Sequence, residues 1–147
     1  MRHHLLALTG VLLAAGLGAA CSRPATSPPA TQDTARVTEA VRVTDVDLGL
    51  AVGADKRVTN KTDSFSPSET IYVSVRTEGA APSATLKARW TFQDGQVVHE
   101  SSQTIAPTGT AVTEFHVANA AGWPKGSYKV EVFLNGGSVE TENFKVG

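Results

Sequence analysis

Beyond Glu39 the chain alternates between apolar and polar positions. In TIYVSVRT, Ile71, Val73 and Val75 share one parity while Tyr72, Ser74 and Arg76 take the other; from Thr85 to Gln93, Leu86, Ala88, Trp90 and Phe92 alternate with Lys87, Arg89 and Thr91. A period of two sends successive side chains to opposite faces, which predicts strands with one dry and one wet side. Asp94-Gly95 then predicts a hairpin turn, because both residues tolerate positive φ, with Gln96–Glu100 as the returning strand. Thr113, Phe115 and Val117 define a further strand, and Tyr128, Val130, Val132 and Leu134 another. Asn135-Gly136 turns the chain into a last strand, Ser138–Val146.

Two segments change parity. Val41 and Val43 are odd while Val46, Leu48, Leu50 and Val52 are even, as expected of a first strand that crosses from one sheet to the other. In the last strand Val139 has one parity and Phe144 and Val146 the other, which predicts a bulge between them. Beyond the N-terminal segment no stretch has a helical period. About seven strands separated by turns predict a single all-β domain over 39–147, an antiparallel β-sandwich. The connection Gly53–Glu69 is long for a turn, and its Lys56 and Arg57 mark it as a candidate recognition loop; Val58 and Phe65 are placed to tack it down around an additional short strand.

Trp90, midway along the third predicted strand, and the corner Gly122-Trp123-Pro124-Lys125-Gly126-Ser127-Tyr128 resemble immunoglobulin-like domains. The resemblance implies a core tryptophan at Trp90 and a tyrosine corner at Tyr128. Val130 stands where antibody domains carry a cysteine two residues after that tyrosine, so the likeness is to the broader immunoglobulin-like group. The run from TIYVSVRTEG to VEVFLNG is also similar to a domain of uncharacterised exported bacterial proteins, which implies no function.

The N-terminus has another pattern. Met1-Arg2-His3-His4 is cationic, and Leu5–Ala20 is uncharged and ends in small residues, the layout of a signal peptide over 1–20. The apolar run is shorter than the roughly 20 residues of a spanning helix. An ordinary signal peptidase could cut there and release a soluble protein. Leu17-Gly18-Ala19-Ala20-Cys21, however, resembles the lipobox of bacterial lipoproteins, which implies cleavage before Cys21, diacylglycerol and palmitate-type acylation of that residue, and membrane attachment through it. Ser22 after the cysteine implies, in a Gram-negative cell, the periplasmic side of the outer membrane. Residues 21–38, rich in Pro, Ser, Thr and Ala, cannot bury enough apolar surface to offset their ordering entropy and are expected to form a disordered tether, on the order of 20–25 Å end to end.

Charge and chemistry narrow the function. Among 147 residues, 13 Lys and Arg face 14 Asp and Glu, so no basic excess suits nucleic acid. One cysteine permits neither an internal disulfide nor a multi-thiolate zinc site. No nucleophile elbow, His-Glu-x-x-His or phosphate loop occurs, and no catalytic residue, metal or cofactor is expected. His99 and His116 would need to converge with carboxylates such as Glu100 and Glu114 to bind metal or move protons; both are predicted to face solvent. Asp45 and Asp47 share a strand face, a spacing that suits a cation or, more simply, a charged edge strand. Trp123 is a candidate contact for an envelope protein or glycan, weighed against a role capping the core beside Tyr128. The sequence therefore predicts a membrane-anchored envelope lipoprotein with a non-catalytic binding module; the alternatives are a structural spacer or assembly component and, further off, a metal protein or enzyme using His99 and His116.

Overall fold

A computed structural model of the chain describes residues 40–147; the expected signal peptide 1–20 and the expected tether 21–38, Cys21 included, lie outside the described residues, as does Glu39. The strands are β1 (Arg42–Gly49), β2 (Ser64–Phe65), β3 (Ile71–Glu78), β4 (Ala84–Phe92), β5 (Gln96–Ile105), β6 (Ala111–Val117), β7 (Gly126–Leu134) and β8 (Gly137–Val146). They form a three-stranded sheet, β1-β3-β6, and a five-stranded sheet, β2-β8-β7-β4-β5. Every pairing is antiparallel except the short parallel contact of β2 with β8. The fold is an immunoglobulin-like β-sandwich, with the seven expected strands joined by β2 inside the Gly53–Glu69 connection.

The alternation explains the core. Ile71, Val73 and Val75 of β3, Leu86, Ala88 and Trp90 of β4, and Val130 and Val132 of β7 are fully buried, with Phe115, Phe144 and Val146 beside them. Each large aliphatic side chain so buried contributes on the order of 1.5–3 kcal/mol. Among the described residues, the strands and the core residues come from within 42–146, so this part of the chain carries its own hydrophobic core.

The parity changes are bulges. In β1 the register passes from Val43↔Thr77 to Asp45↔Arg76, leaving Thr44 extra, and β1 stays paired with β3 throughout. The expected mid-strand crossing is thus corrected: one inserted residue switches the inward parity without the strand leaving its sheet, and the change of sheet is made later, by β2. In β8 the pairs Val132↔Glu140 and Phe133↔Ser138 leave Val139 extra, so the expected bulge sits on Val139 itself. Asn135 and Gly136 adopt φ of 50° and 86°, the predicted tight turn, whereas at the β4–β5 turn the positive φ angles fall on Gln93 and Gly95 instead of Asp94-Gly95.

The tyrosine corner is present. The Tyr128 hydroxyl donates to the Pro124 carbonyl at 2.7 Å, its ring stacks on Phe144 at 5.2 Å, and Phe92 packs at 4.7 Å. Burial pushes the Tyr128 phenol above its ordinary pKa. Tyr128→Phe should cost about 1 kcal/mol in urea unfolding, the value of one net hydrogen bond; no loss would mean that the corner bond contributes nothing.

Past the Val139 bulge, Glu140 and Glu142 take the inward parity opposite Val132 and Val130. Burial first, then the charges of Glu140, Asp47 and Asp45, push the Glu142 carboxyl above its ordinary pKa. A carboxyl with a raised folded-state pKa favours folding most below its unfolded value and loses that contribution as pH rises through the folded one. Glu142→Gln should therefore raise Tm at pH 7 and leave it nearly unchanged near pH 4; equal shifts at both pH values would contradict this.

Candidate functional site

A five-stranded sheet cannot be covered by three strands. β5, at the edge of the wide sheet, and β6, at the edge of the narrow one, each pair on one side only. The Gln103 side-chain amide bridges them, donating to the Glu114 carbonyl at 2.6 Å. Toward the β4–β5 turn the two edges part into a cleft of about 510 Å³. Phe92 and residues 96–99 form one wall, and residues 117–119 with Trp123, Pro124 and Tyr128 form the other. Among the described residues, no Lys, Arg, Asp or Glu lines it.

The bulge in β5 shapes this cleft. Trp90 pairs with His99 and Thr91 with Val97, which leaves Val98 extra. The insertion puts His99 on Trp90's side of the sheet, half-buried, with the two rings 5.3 Å apart. The expectation that His99 faces solvent is corrected, because a simple alternation counts one residue too few across a bulge. Val97 and Val98 are left 51% and 38% exposed at the rim. Their adjacency breaks the period of two, a mark that reads as a bulge only once the pairing with β4 is known.

Trp123 belongs to the wall and the core together. It is only 6% exposed, its indole N–H donates to the Glu69 carbonyl at 3.0 Å, its backbone N–H donates to the Pro67 carbonyl at 2.7 Å, and it meets Tyr128 edge-on at 5.9 Å. The capping role weighed for it is the one the structure displays. Asn119 is occupied by its own turn: its side chain donates to the Gly122 carbonyl and accepts from the Ala121 N–H. Gly126, at φ 151°, lies where a Cβ would run into the Phe92 ring and the Gln93 amide, so the corner beside the cleft requires glycine.

The other candidate residues lie elsewhere. Lys56 and Arg57 sit in a small hairpin closed by the Val52↔Val58 bridge and packed over β3, where the Val58 N–H donates to the Ser74 hydroxyl. Arg57 meets Asp55 at 3.6 Å and lies beside Asp45 and Asp47. Asp47 in turn is ion-paired with Lys61 at 2.5 Å, so the two aspartates form part of a charged strand face. Neither Lys56 nor Arg57 reaches the cleft.

His116 is exposed as expected, bonded to Glu114 at 2.6 Å and set against Tyr72. Glu100 points away from His99 and binds Arg89 at 2.8 Å and Lys87 at 3.5 Å, which holds its carboxyl below its ordinary pKa, the Arg89 hydrogen bond foremost. The two histidines therefore do not converge with Glu100 and Glu114 into one cluster. Among the described residues no group of three or more His, Cys, Asp or Glu could hold a metal ion.

No family model matches this chain, and no curated protein matches it. Among solved structures it is similar to an immunoglobulin-like protein of Pseudomonas aeruginosa, at 15% identity and a TM-score of 0.49 over 76% of this chain and 99% of that one. It is similar also to part of an alkylpurine DNA glycosylase of Pseudomonas fluorescens, at 15% identity and a TM-score of 0.47 over 72% of this chain and 30% of that one. A third likeness is to part of a β-glucosidase of Listeria innocua, at 8% identity and a TM-score of 0.47, covering 74% of this chain and 16% of the enzyme. The chain thus spans under a third of either enzyme's length, and these likenesses concern the sandwich alone.

The placement of Trp123 and of the charged hairpin separates their roles. Trp123→Ala should cost about 3–5 kcal/mol in denaturant unfolding, as large-to-small core changes do, while Lys56→Ala and Arg57→Ala should stay within about 0.5 kcal/mol of the parent. A neutral Trp123→Ala would show that the corner does not need it.

Proposed function

We propose that this protein is a lipid-anchored component of the bacterial cell envelope whose sandwich is a non-catalytic binding module, held by acylated Cys21 on a tether of residues 21–38. The anchoring part rests on the charged start, the apolar run and the lipobox-like Leu17–Cys21 segment. The binding part is carried by one observation: the uncharged cleft between β5 and β6 opens at the pole opposite the chain's entry into the sandwich. Arg42, where β1 begins, pairs with Glu78 at the end of β3, whereas Val117 beside the cleft pairs with Ile71 at its start. The length of β3 separates the two, about 25 Å at the rise of a strand. A domain held by its N-terminus therefore has the cleft at the end away from its attachment, open to an envelope protein or glycan. With Ser22 after the cysteine, the proposed location in a Gram-negative cell is the periplasmic face of the outer membrane.

Cys21→Ala should leave the precursor uncut at the lipobox and abolish its acyl labelling, whereas globomycin treatment of the parent, which blocks the cut after diacylglycerol is attached to the thiol, should leave an uncut precursor that is still labelled. Processing and membrane fractionation identical to the untreated parent would sink the anchor. For the module, cross-linking in intact envelopes should capture a partner that Val98→Asp loses and Lys56→Ala retains; capture indifferent to the cleft would favour the spacer or assembly role instead.

A further inference from the structure

Both walls of the cleft end in strand edges that no strand among the described residues covers: there β5 bonds only to β4 and β6 only to β3. The Gln103–Glu114 bridge closes the gap farther in, so the cleft opens from His99 and Val117 outward. The remaining edges carry their own protection. β1 starts at the Arg42–Glu78 ion pair at 2.7 Å and bears Asp45 and Asp47, and β2 has only two residues. β5, bulged at Val98 as β1 is at Thr44, runs for ten residues with no Lys, Arg or Pro, and its one charge, Glu100, is neutralised by Arg89 and Lys87.

A free edge offers N–H and C=O groups at a repeat of about 6.7 Å, which another extended backbone matches and a sugar or compact apolar molecule does not. Phe92, Val98, Val117 and Trp123 wall the cleft beside that edge together with Gln96, His99 and Asn119, and among the described residues no Lys, Arg, Asp or Glu lines it to pair with a charged group, which favours an uncharged occupant. The exposed Val97 and Val98 lie where such a backbone would cover them.

Building on the binding-module reading, we propose that the cleft takes an extended, uncharged stretch of a partner polypeptide, about four residues long at the rise of a strand. The stretch adds to β5 along Gln96–His99 and places one apolar side chain between Val98 and Val117. Main-chain hydrogen bonds supply the attachment and the cleft supplies the selection.

The test selects phage-displayed random heptapeptides on the soluble 39–147 domain. Enriched peptides should share an uncharged, Pro-free run, lose affinity by about tenfold or more on Val98→Asp, and lose it also when a central amide of the run is N-methylated. Lys56→Ala and Arg57→Ala should bind as the parent does. Val98 is partly exposed in an edge bulge, and a thermal melt verifies that Val98→Asp remains folded. No enrichment over the Val98→Asp domain, a charged or Pro-rich consensus, or indifference to N-methylation would overturn strand addition. A dimer of the domain dissolved by Val98→Asp would give the edge to a second copy and overturn it as well. A partner cross-linked in envelopes through the Lys56-Arg57 hairpin, with no peptide selected, would sink the strand-addition proposal while leaving the binding-module reading standing.

Discussion

The organising constraint is the mismatch in width between the two sheets. Both must bury an apolar face, and the strong alternation in β3, β4 and β7 lets them do so around Trp90, Phe115 and Tyr128. Three strands nevertheless cover only the middle of five. On one side the overhang leaves β8 to carry Glu140 and Glu142 on its inward parity, near the acidic side chains of β1. On the other it leaves β5 with a polar inner row of His99, Ser101 and Gln103 opposite Trp90, Ala88 and Leu86. Polar side chains thus share the inward rows near both margins of the wide sheet, beside the buried Phe65, Phe144 and Val146 on the β2–β8 side, and the cleft occurs at the β5 margin.

Bulges reconcile that geometry with the sequence. The single extra residues Thr44, Val98 and Val139 switch parity within strands that stay in their sheets. Two of these were legible as parity changes: Val43 and Val46 lie on either side of Thr44, and Val139, itself the extra residue, falls out of parity with Phe144 and Val146. The third was not, since His99 and the serines after it carry no hydrophobic rhythm to reveal a skipped position. The orientation of His99 followed that omission. The strands, the Asn135-Gly136 turn and the tyrosine corner were legible because each rests on local chemistry: alternation, positive φ, and one hydroxyl near one carbonyl.

The site was legible only in fragments. Trp123 stands out in the sequence as an aromatic in a Gly/Pro-rich corner, but whether such a residue is a contact or a cap depends on carbonyls far away in the chain, here those of Pro67 and Glu69. Likewise Lys56 and Arg57 stand out as cations of a long loop, but only the folded hairpin places Arg57 beside Asp55, Asp45 and Asp47. The cleft itself is a property of edges, of what β5 and β6 fail to pair with, and no single segment encodes it. The anchor proposed at Cys21 is the converse case, a function carried by a contiguous segment and independent of the fold.

The account depends most on the edge of β5 being free while β4 beside it is fully paired. Backbone amide hydrogen exchange of the isolated 39–147 domain tests this directly, because an amide without a partner exchanges fast even in a stable protein. The amides of β4 from Leu86 to Trp90 should be protected to the level of global unfolding, and the outward amides between Gln96 and His99 should exchange orders of magnitude faster. Protection of that β5 stretch equal to β4 would mean that the edge is already covered, and would contradict the account.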